Sequence, residues 1–193
     1  MSLPAQPQLE PGHAYRTRDL RAWGKNPARL AQRLVHEGKL REAAHGLYYA
    51  PLSTWFGSAP ASDEALLAGF LGTNSFLLTG PARWNALGLG TTAMFAATLV
   101  YNTQRTGEFT LDGRKFMLRR VLFPDRPQPE WFIVDLFQHH DMAAIELHEL
   151  ETGLLAQLRL GRWNREELRK LTAEYGSKAT QEAVGRCLEA AAA

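Results

Sequence analysis

Between Asn26 and Gly38, apolar Leu30, Leu34 and Val35 recur at helical spacing, while Arg29, Gln32, Arg33 and His36 fall at i, i+3, i+4 and i+7 on the opposite side. The pattern predicts a helix with one face toward a core and one polar, basic face. Asn26 stands where an N-cap would accept an orphan backbone N–H, and Pro27 takes the first helical position, where a missing N–H costs nothing. Gly38 suits the C′ position beyond the last turn. Upstream, Thr17 is placed to cap a short helix, Arg18 to Trp23, in which Leu20 and Trp23 share a face; Gly24-Lys25-Asn26 then makes the turn into the longer helix. Downstream, Lys39-Leu40-Arg41 and Leu47-Tyr48-Tyr49 read as two short strands about a turn at His45-Gly46, and Pro51 ends the second.

Leu52 to Ala61 reads as a Pro/Ser/Gly-containing connector, after which Ser62 caps a helix whose first turn carries Asp63 and Glu64 and whose apolar side includes Leu66, Leu67, Phe70 and Leu71. A further helix runs from Pro81 to Gly88. Strand patterns follow at Thr98 to Asn102, Glu108 to Leu111 and Arg114 to Phe123, with Asp112-Gly113 a strong hairpin signal. Pro124 to Pro129 is a stiff loop, and the unbroken apolar run Trp131-Phe132-Ile133-Val134 reads as a central strand. Beyond it the period is helical: Ala143 to Leu150, Thr152 to Leu160, Arg165 to Tyr175 and Lys178 to Ala192, separated by Gly153, Gly161 and Gly176, with Asn164 capping the third. Leu154, Leu158, Leu168 and Leu171 are expected in a core. The fold class that follows is α+β: a winged helix-turn-helix over residues 1–60, with 1–12 poorly ordered, then a mixed α/β domain over 61–193 with a C-terminal helical layer.

Charge sharpens the division. Residues 1–60 hold eight Lys/Arg against four acids, whereas the remainder holds fourteen against sixteen, so the whole-chain charge of +2 hides a basic first third. A polyanion would be drawn there, because neutralising phosphates releases counterions. At 193 residues and 45% apolar content the chain can bury one large or two small cores. The single Cys187 excludes an internal disulfide framework, reads as a small buried hydrophobe, and together with the lack of Cys/His ligand spacing points to a reducing cytoplasm and no zinc finger. No basic, apolar leader opens the chain. The longest uncharged run, Trp84 to Gln104, is interrupted by Gly88, Gly90, Thr91, Thr92 and Asn102 and reads as core rather than a membrane span.

No P-loop, dinucleotide-binding glycine fingerprint or nucleophile elbow is present, no cofactor is expected, and Gly88-Leu89-Gly90 reads as a helix end. His139-His140-Asp141 with Glu146 and His148 matches no recognised metal spacing and reads as a polar corner. An enzyme alternative would place Glu108, Asp112, Lys115 and Asp135 around a sheet to hold Mg²⁺ for phosphodiester cleavage. A second alternative is a protein-binding scaffold whose basic helix meets an acidic partner. The main expectation is a non-enzymatic DNA-binding protein.

The stretch Tyr15 to Pro51, with Gly38-Lys39-Leu40 and Gly46-Leu47-Tyr48-Tyr49-Ala50-Pro51, followed by Leu78-Thr79-Gly80-Pro81-Ala82-Arg83-Trp84-Asn85-Ala86-Leu87-Gly88-Leu89 and the hairpin ending Val121-Leu122-Phe123, resembles the AbiEi-type antitoxins of bacterial type IV toxin–antitoxin and abortive-infection systems. The likeness covers roughly residues 15 to 135. It implies a winged helix that binds and represses the operon's own promoter, and a C-terminal domain that counteracts a nucleotidyltransferase-like toxin. On this sequence it implies that Arg29, Gln32, Arg33 and His36 face the major groove, where Arg reads guanine and Gln reads adenine. Thr17, Arg18, Lys25, Lys39 and Arg41 would meet phosphates, with Asn26 at the helix start and His45 at the wing tip completing the surface. His45 and the Pro-rich start depart from the family pattern. A homodimer on an inverted-repeat operator would follow from the small DNA surface one such module covers.

Overall fold

Capping chemistry and turn glycines divide the chain into short elements, which the computed structural model describes for residues 7–91, 94 and 96–192. In order they are β1 (Ala14–Arg16), a 3₁₀ turn (Asp19–Trp23), α1 (Pro27–His36), β2 (Arg41–Ala44), β3 (Leu47–Tyr49), β4 (Leu52–Thr54), β5 (Gly57–Ala59), α2 (Asp63–Leu71), β6 (Phe76–Thr79), α3 (Pro81–Ala86), β7 (Thr98–Asn102), β8 (Gly107–Leu111), β9 (Arg114–Arg120), α4 (Pro129–Gln138), α5 (Leu147–Arg159), α6 (Arg165–Tyr175) and α7 (Lys178–Ala192). The class is α+β, as expected. The chain forms two compact units, one made of residues up to Ser75 with Glu108–Phe116, the other of Phe76–Gly107 and Met117 onward. The expected boundary at residue 60 therefore falls inside the first unit.

Close packing and several hydrogen bonds hold α2 and the β8–β9 tip in that unit. Gly69 lies so close to β1 that an added Cβ would stand 2.6 Å from the Ala14 Cβ. Arg16 donates through Nε to the Gly69 carbonyl at 2.7 Å and also bonds the Phe70 carbonyl, so a cation counted toward the basic surface instead closes the C-terminus of α2. At the other end Ser62 Oγ accepts from Ala65 N at 3.1 Å, and Arg114 grips Asp63 at 2.6 Å and the Ala61 carbonyl at 2.8 Å. The β8–β9 turn carries Asp112 and Gly113 with φ of 50° and 74°, the mirror-image turn that Asp-Gly favours. Asp112 N–H donates to the Ala43 carbonyl at 2.7 Å, and its carboxylate accepts from the Tyr49 hydroxyl.

In the first unit β1, β3 and β2 form an antiparallel sheet in the order β1-β3-β2, with a bulge between Glu42 and Ala44. Tyr15, Leu20, Leu30, Ala31, Leu34, Leu40 and Ala50 make its core. Val35, expected to face that core, lies toward solvent because the buried stripe runs through Ala31 instead. Residues 1–6 lie outside the described set, but from Leu9 onward the expected disorder gives way to packing: Leu9 touches the core, Gly12 N–H donates to the Ala50 carbonyl at 2.7 Å, and Glu10 N–H donates to the Tyr15 hydroxyl. The connector expected at 52–61 contains the β4–β5 hairpin.

In the second unit β6, which the sequence pattern did not announce, pairs antiparallel with β7 from Phe76↔Asn102 to Thr79↔Leu99. The expected strand at Trp131–Val134 is part of α4. A run apolar on all sides suits a buried helix as well as a buried strand, and Pro129 at the first helical position decides for the helix, in which Trp131, Ile133, Val134, Leu136 and Phe137 are all buried. The expected pair of helices at 143–150 and 152–160 is one helix, α5, preceded by turns; Gly153 sits inside it because a Cβ there would come within 3.3 Å of the Leu89 carbonyl oxygen. α4 to α7 pack together, with Leu150, Leu154, Leu158, Leu168, Leu171 and Val184 in their core. Thr92, within the long uncharged run, lies outside the described residues, which flank it with α3 and β7. No helix among the described residues is long and apolar enough to cross a membrane.

Candidate nucleic-acid interface

α1 owes its start to Asn26, whose Oδ1 accepts from Arg29 N at 3.0 Å, with Pro27 next. It ends in a Schellman motif: Gly38, at φ 71°, donates to the Val35 carbonyl and Lys39 N–H donates to the Leu34 carbonyl at 2.9 Å. Both ends being closed, the phase of the helix is set by Leu30, Ala31 and Leu34 in the core, and Arg29, Gln32, Arg33 and His36 are all exposed on the other side. Arg29 and Arg33 line a cleft of about 500 Å³ with Trp23, Gly24, Asn26 and Leu30. Two guanidiniums one helical turn apart beside a concave surface are suited to anionic oxygens or to base edges.

The remaining candidates spread around this helix. Thr17 does not cap the 3₁₀ turn; its hydroxyl donates to the Gly46 carbonyl at 3.3 Å and its N–H to the same oxygen at 2.9 Å, tying β1 to the β2–β3 turn. The carboxylate of Asp19 takes the Arg16 N–H instead, and faces Arg18 at 3.7 Å. Arg18, Lys25, Lys39, Arg41 and His45 are exposed, His45 beside Gly46 at the tip of the β2–β3 hairpin. Burial holds the pKa of the Tyr49 hydroxyl above its ordinary range, against the lowering influence of Arg41.

Glu37 is the residue the sequence reading passed over. Its carboxylate pairs with Lys39 at 2.8 Å and with Arg33 at 3.7 Å, and the hydrogen bond from Lys39 holds it below the usual carboxylate range. The i, i+4 spacing from Arg33 signals the pair. An anion arriving at Arg33 and Lys39 must displace this acid, so if this face binds DNA, Glu37→Gln is expected to tighten that binding by about three- to tenfold at low salt, an advantage that shrinks as salt rises. Fluorescence anisotropy against one duplex measures it, and unchanged affinity would mean Arg33 and Lys39 do not meet the DNA.

Other chemistry is less assembled. Asp112 sits at a turn bound to Tyr49 and Arg114, Glu108 and Lys115 are exposed, and Asp135 is not on a strand but inside α4 in the other unit. Asp135 accepts from Thr79 Oγ1 at 2.7 Å, Trp84 Nε1 at 2.8 Å and Tyr101 OH at 2.7 Å, and lies 3.2 Å from His139 Nδ1. Burial opposes charge on that imidazole, yet the hydrogen bond and attraction of Asp135 hold its pKa above the ordinary value. Burial, aided by the carboxylate, also drives the Tyr101 hydroxyl far up, so it stays a donor. β6, α3 and β7 are thereby pinned to one carboxylate of α4. Among the described residues no group of three or more His, Cys, Asp or Glu is placed to hold a metal ion. Gly88, at φ 67°, follows the end of α3, and Gln157 Nε2 donates to the Leu87 and Gly88 carbonyls. Cys187 is buried in the helical core, its thiol pushed up to about 11 by burial.

No protein-family model matches this chain, and no curated protein matches it. Among solved structures it is similar to the Rv2827c protein of Mycobacterium tuberculosis, with 16% identity over 93% of this chain and 72% of that one and a TM-score of 0.56. At that identity the likeness is one of fold alone.

Proposed function

We propose that this protein is the DNA-binding antitoxin of a bacterial toxin–antitoxin system, acting in the cytoplasm without cofactor or catalysis. In this reading residues 14–49 are a winged helix: the 3₁₀ turn and α1 make the helix-turn-helix, α1 enters the major groove, and the β2–β3 hairpin is the wing. The observation that carries it is the exposed row Arg29, Gln32, Arg33 and His36 on a helix fixed at both ends, flanked by exposed Arg18, Lys25, Lys39, Arg41 and His45. A recognition helix needs that combination of fixed phase and exposed polar side chains. The second unit, by the resemblance drawn from sequence, would counteract a nucleotidyltransferase-like toxin encoded beside this gene.

Anisotropy titration of the protein with DNA from immediately upstream of its gene, against scrambled DNA and at two salt concentrations, tests the reading. Selective binding is expected, with log affinity falling against log salt at about −0.9 per phosphate contacted. Absence of salt-sensitive binding would overturn it in favour of a basic helix that meets an acidic protein.

A further inference from the structure

The β4–β5 hairpin ends in Thr54-Trp55-Phe56-Gly57, and its two aromatic side chains are 96% and 98% exposed, with Leu52 at 39% on the strand below. Among the described residues neither strand has a second β neighbour. A lone two-stranded ribbon is marginal in water, and exposed edges are ordinarily guarded by charge. Here no Asp, Glu, Lys or Arg occurs between Glu42 and Asp63.

We propose that this hairpin is the surface by which two copies of the chain associate. The missing charges choose the occupant. A nucleic-acid wedge works beside cations that hold the backbone, and an anionic lipid surface also demands them; this ribbon has neither Lys nor Arg. A two-fold interface, by contrast, brings each residue near the axis against its own copy, so any charge there would face its like. A charge-free ribbon with open edges avoids that repulsion and can extend its sheet across the axis. The area suffices: aromatic side chains bury about 150–250 Å² each, so two Trp-Phe tips remove roughly 600–1,000 Å². Leu52 and the strand backbones bring the total close to the roughly 1,200 Å² at which specific interfaces begin. The dimer is accordingly weak, about micromolar, and tightens when both copies are held on one DNA. The surface stands apart from the DNA reading, whereas its use, setting two copies of α1 over two half-sites, rests on that reading.

Sedimentation equilibrium of the full chain over a micromolar concentration series is the test, alongside Trp55→Ser/Phe56→Ser and the milder Phe56→Ser, each checked for fold by circular dichroism. The expected result is a concentration-dependent dimer for the native chain, a monomer for the double variant, and at least about tenfold weaker association for the single one. A native chain monomeric throughout, or a double variant that dimerises as the native chain does, overturns the proposal. So does binding of the hairpin to neutral phosphatidylcholine vesicles without self-association. Anisotropy with a single half-site, run in parallel, reports on α1 alone: half-site binding retained while dimerisation fails discards the interface and keeps the DNA reading, and the reverse discards only the DNA reading.

Discussion

An Asp135→Ala variant is expected to lose about 3–5 kcal/mol of stability, enough to leave the second unit partly unfolded at physiological temperature. The carboxylate is 1% exposed and accepts from Thr79, Trp84 and Tyr101, with His139 beside it. Truncation takes the carboxylate from three buried donors, Thr79, Trp84 and Tyr101, while His139 loses its charge partner and keeps only the Asp135 backbone carbonyl 2.9 Å from its Nδ1. Asp135→Asn keeps the shape but directs an NH₂ group at donors, so it is expected to recover only part of the loss. Urea denaturation followed by tryptophan fluorescence measures this, Trp84 and Trp131 both lying in the affected core. A loss below about 1 kcal/mol would show that the network contributes no more than a surface hydrogen bond.

The same network gives stability a pH dependence of definite sign. The folded pKa of His139 lies above its unfolded value. Its pairing with Asp135 is therefore fully stabilising below the unfolded value near 6.5, and that contribution fades as pH rises through the folded value. The Asp135 variants should lack this component, so the gap between native and variant stability narrows toward alkaline pH.

The second large effect concerns Arg29 and Arg33, and it rests on the proposed function. Arg29→Ala with Arg33→Ala is expected to weaken binding to the upstream DNA by about a hundredfold or more, since a good bidentate contact discriminates by about 1–3 kcal/mol. Both side chains are exposed, and neither contributes to the core beneath α1, so the melting temperature should hardly move. The two modes of contact separate in the data. If the arginines read bases, the variant loses preference for the operator over scrambled DNA; if they only grip phosphate, both affinities fall together and the salt slope decreases by about one per arginine. Counteraction of the toxin should survive, because it is assigned to the other unit. Joint loss of DNA binding and antitoxicity would contradict that division of labour.

Much of the local geometry was legible in the chain because it depends on bonds spanning only a few residues. Asn26, Ser62 and Asn164 each accept the backbone N–H groups three or fewer positions ahead, Gly38 supplies a left-handed residue where α1 closes, and Asp112-Gly113 specifies its own turn. The polar face of α1 follows from the same short-range periodicity. What required the tertiary structure is whatever depends on a distant neighbour. Trp131–Val134 is an all-apolar run that carries no period to read and suits a buried strand as well as a buried helix; its local mark is Pro129, which opens the helix whose side chains fill the core of the second unit. Gly153 marks a close approach of Leu89 and not a break, and Arg16 serves α2 fifty-odd residues away instead of the basic surface. The composition around Trp55 and Phe56 is that of an ordinary connector, and only the folded chain turns it into a ribbon with both rings in solvent. Asp135 has the same character: nothing nearby in sequence marks it, and its role arises because β6, α3 and β7 deliver three donors to one buried point, where an unpaired carboxylate could not remain.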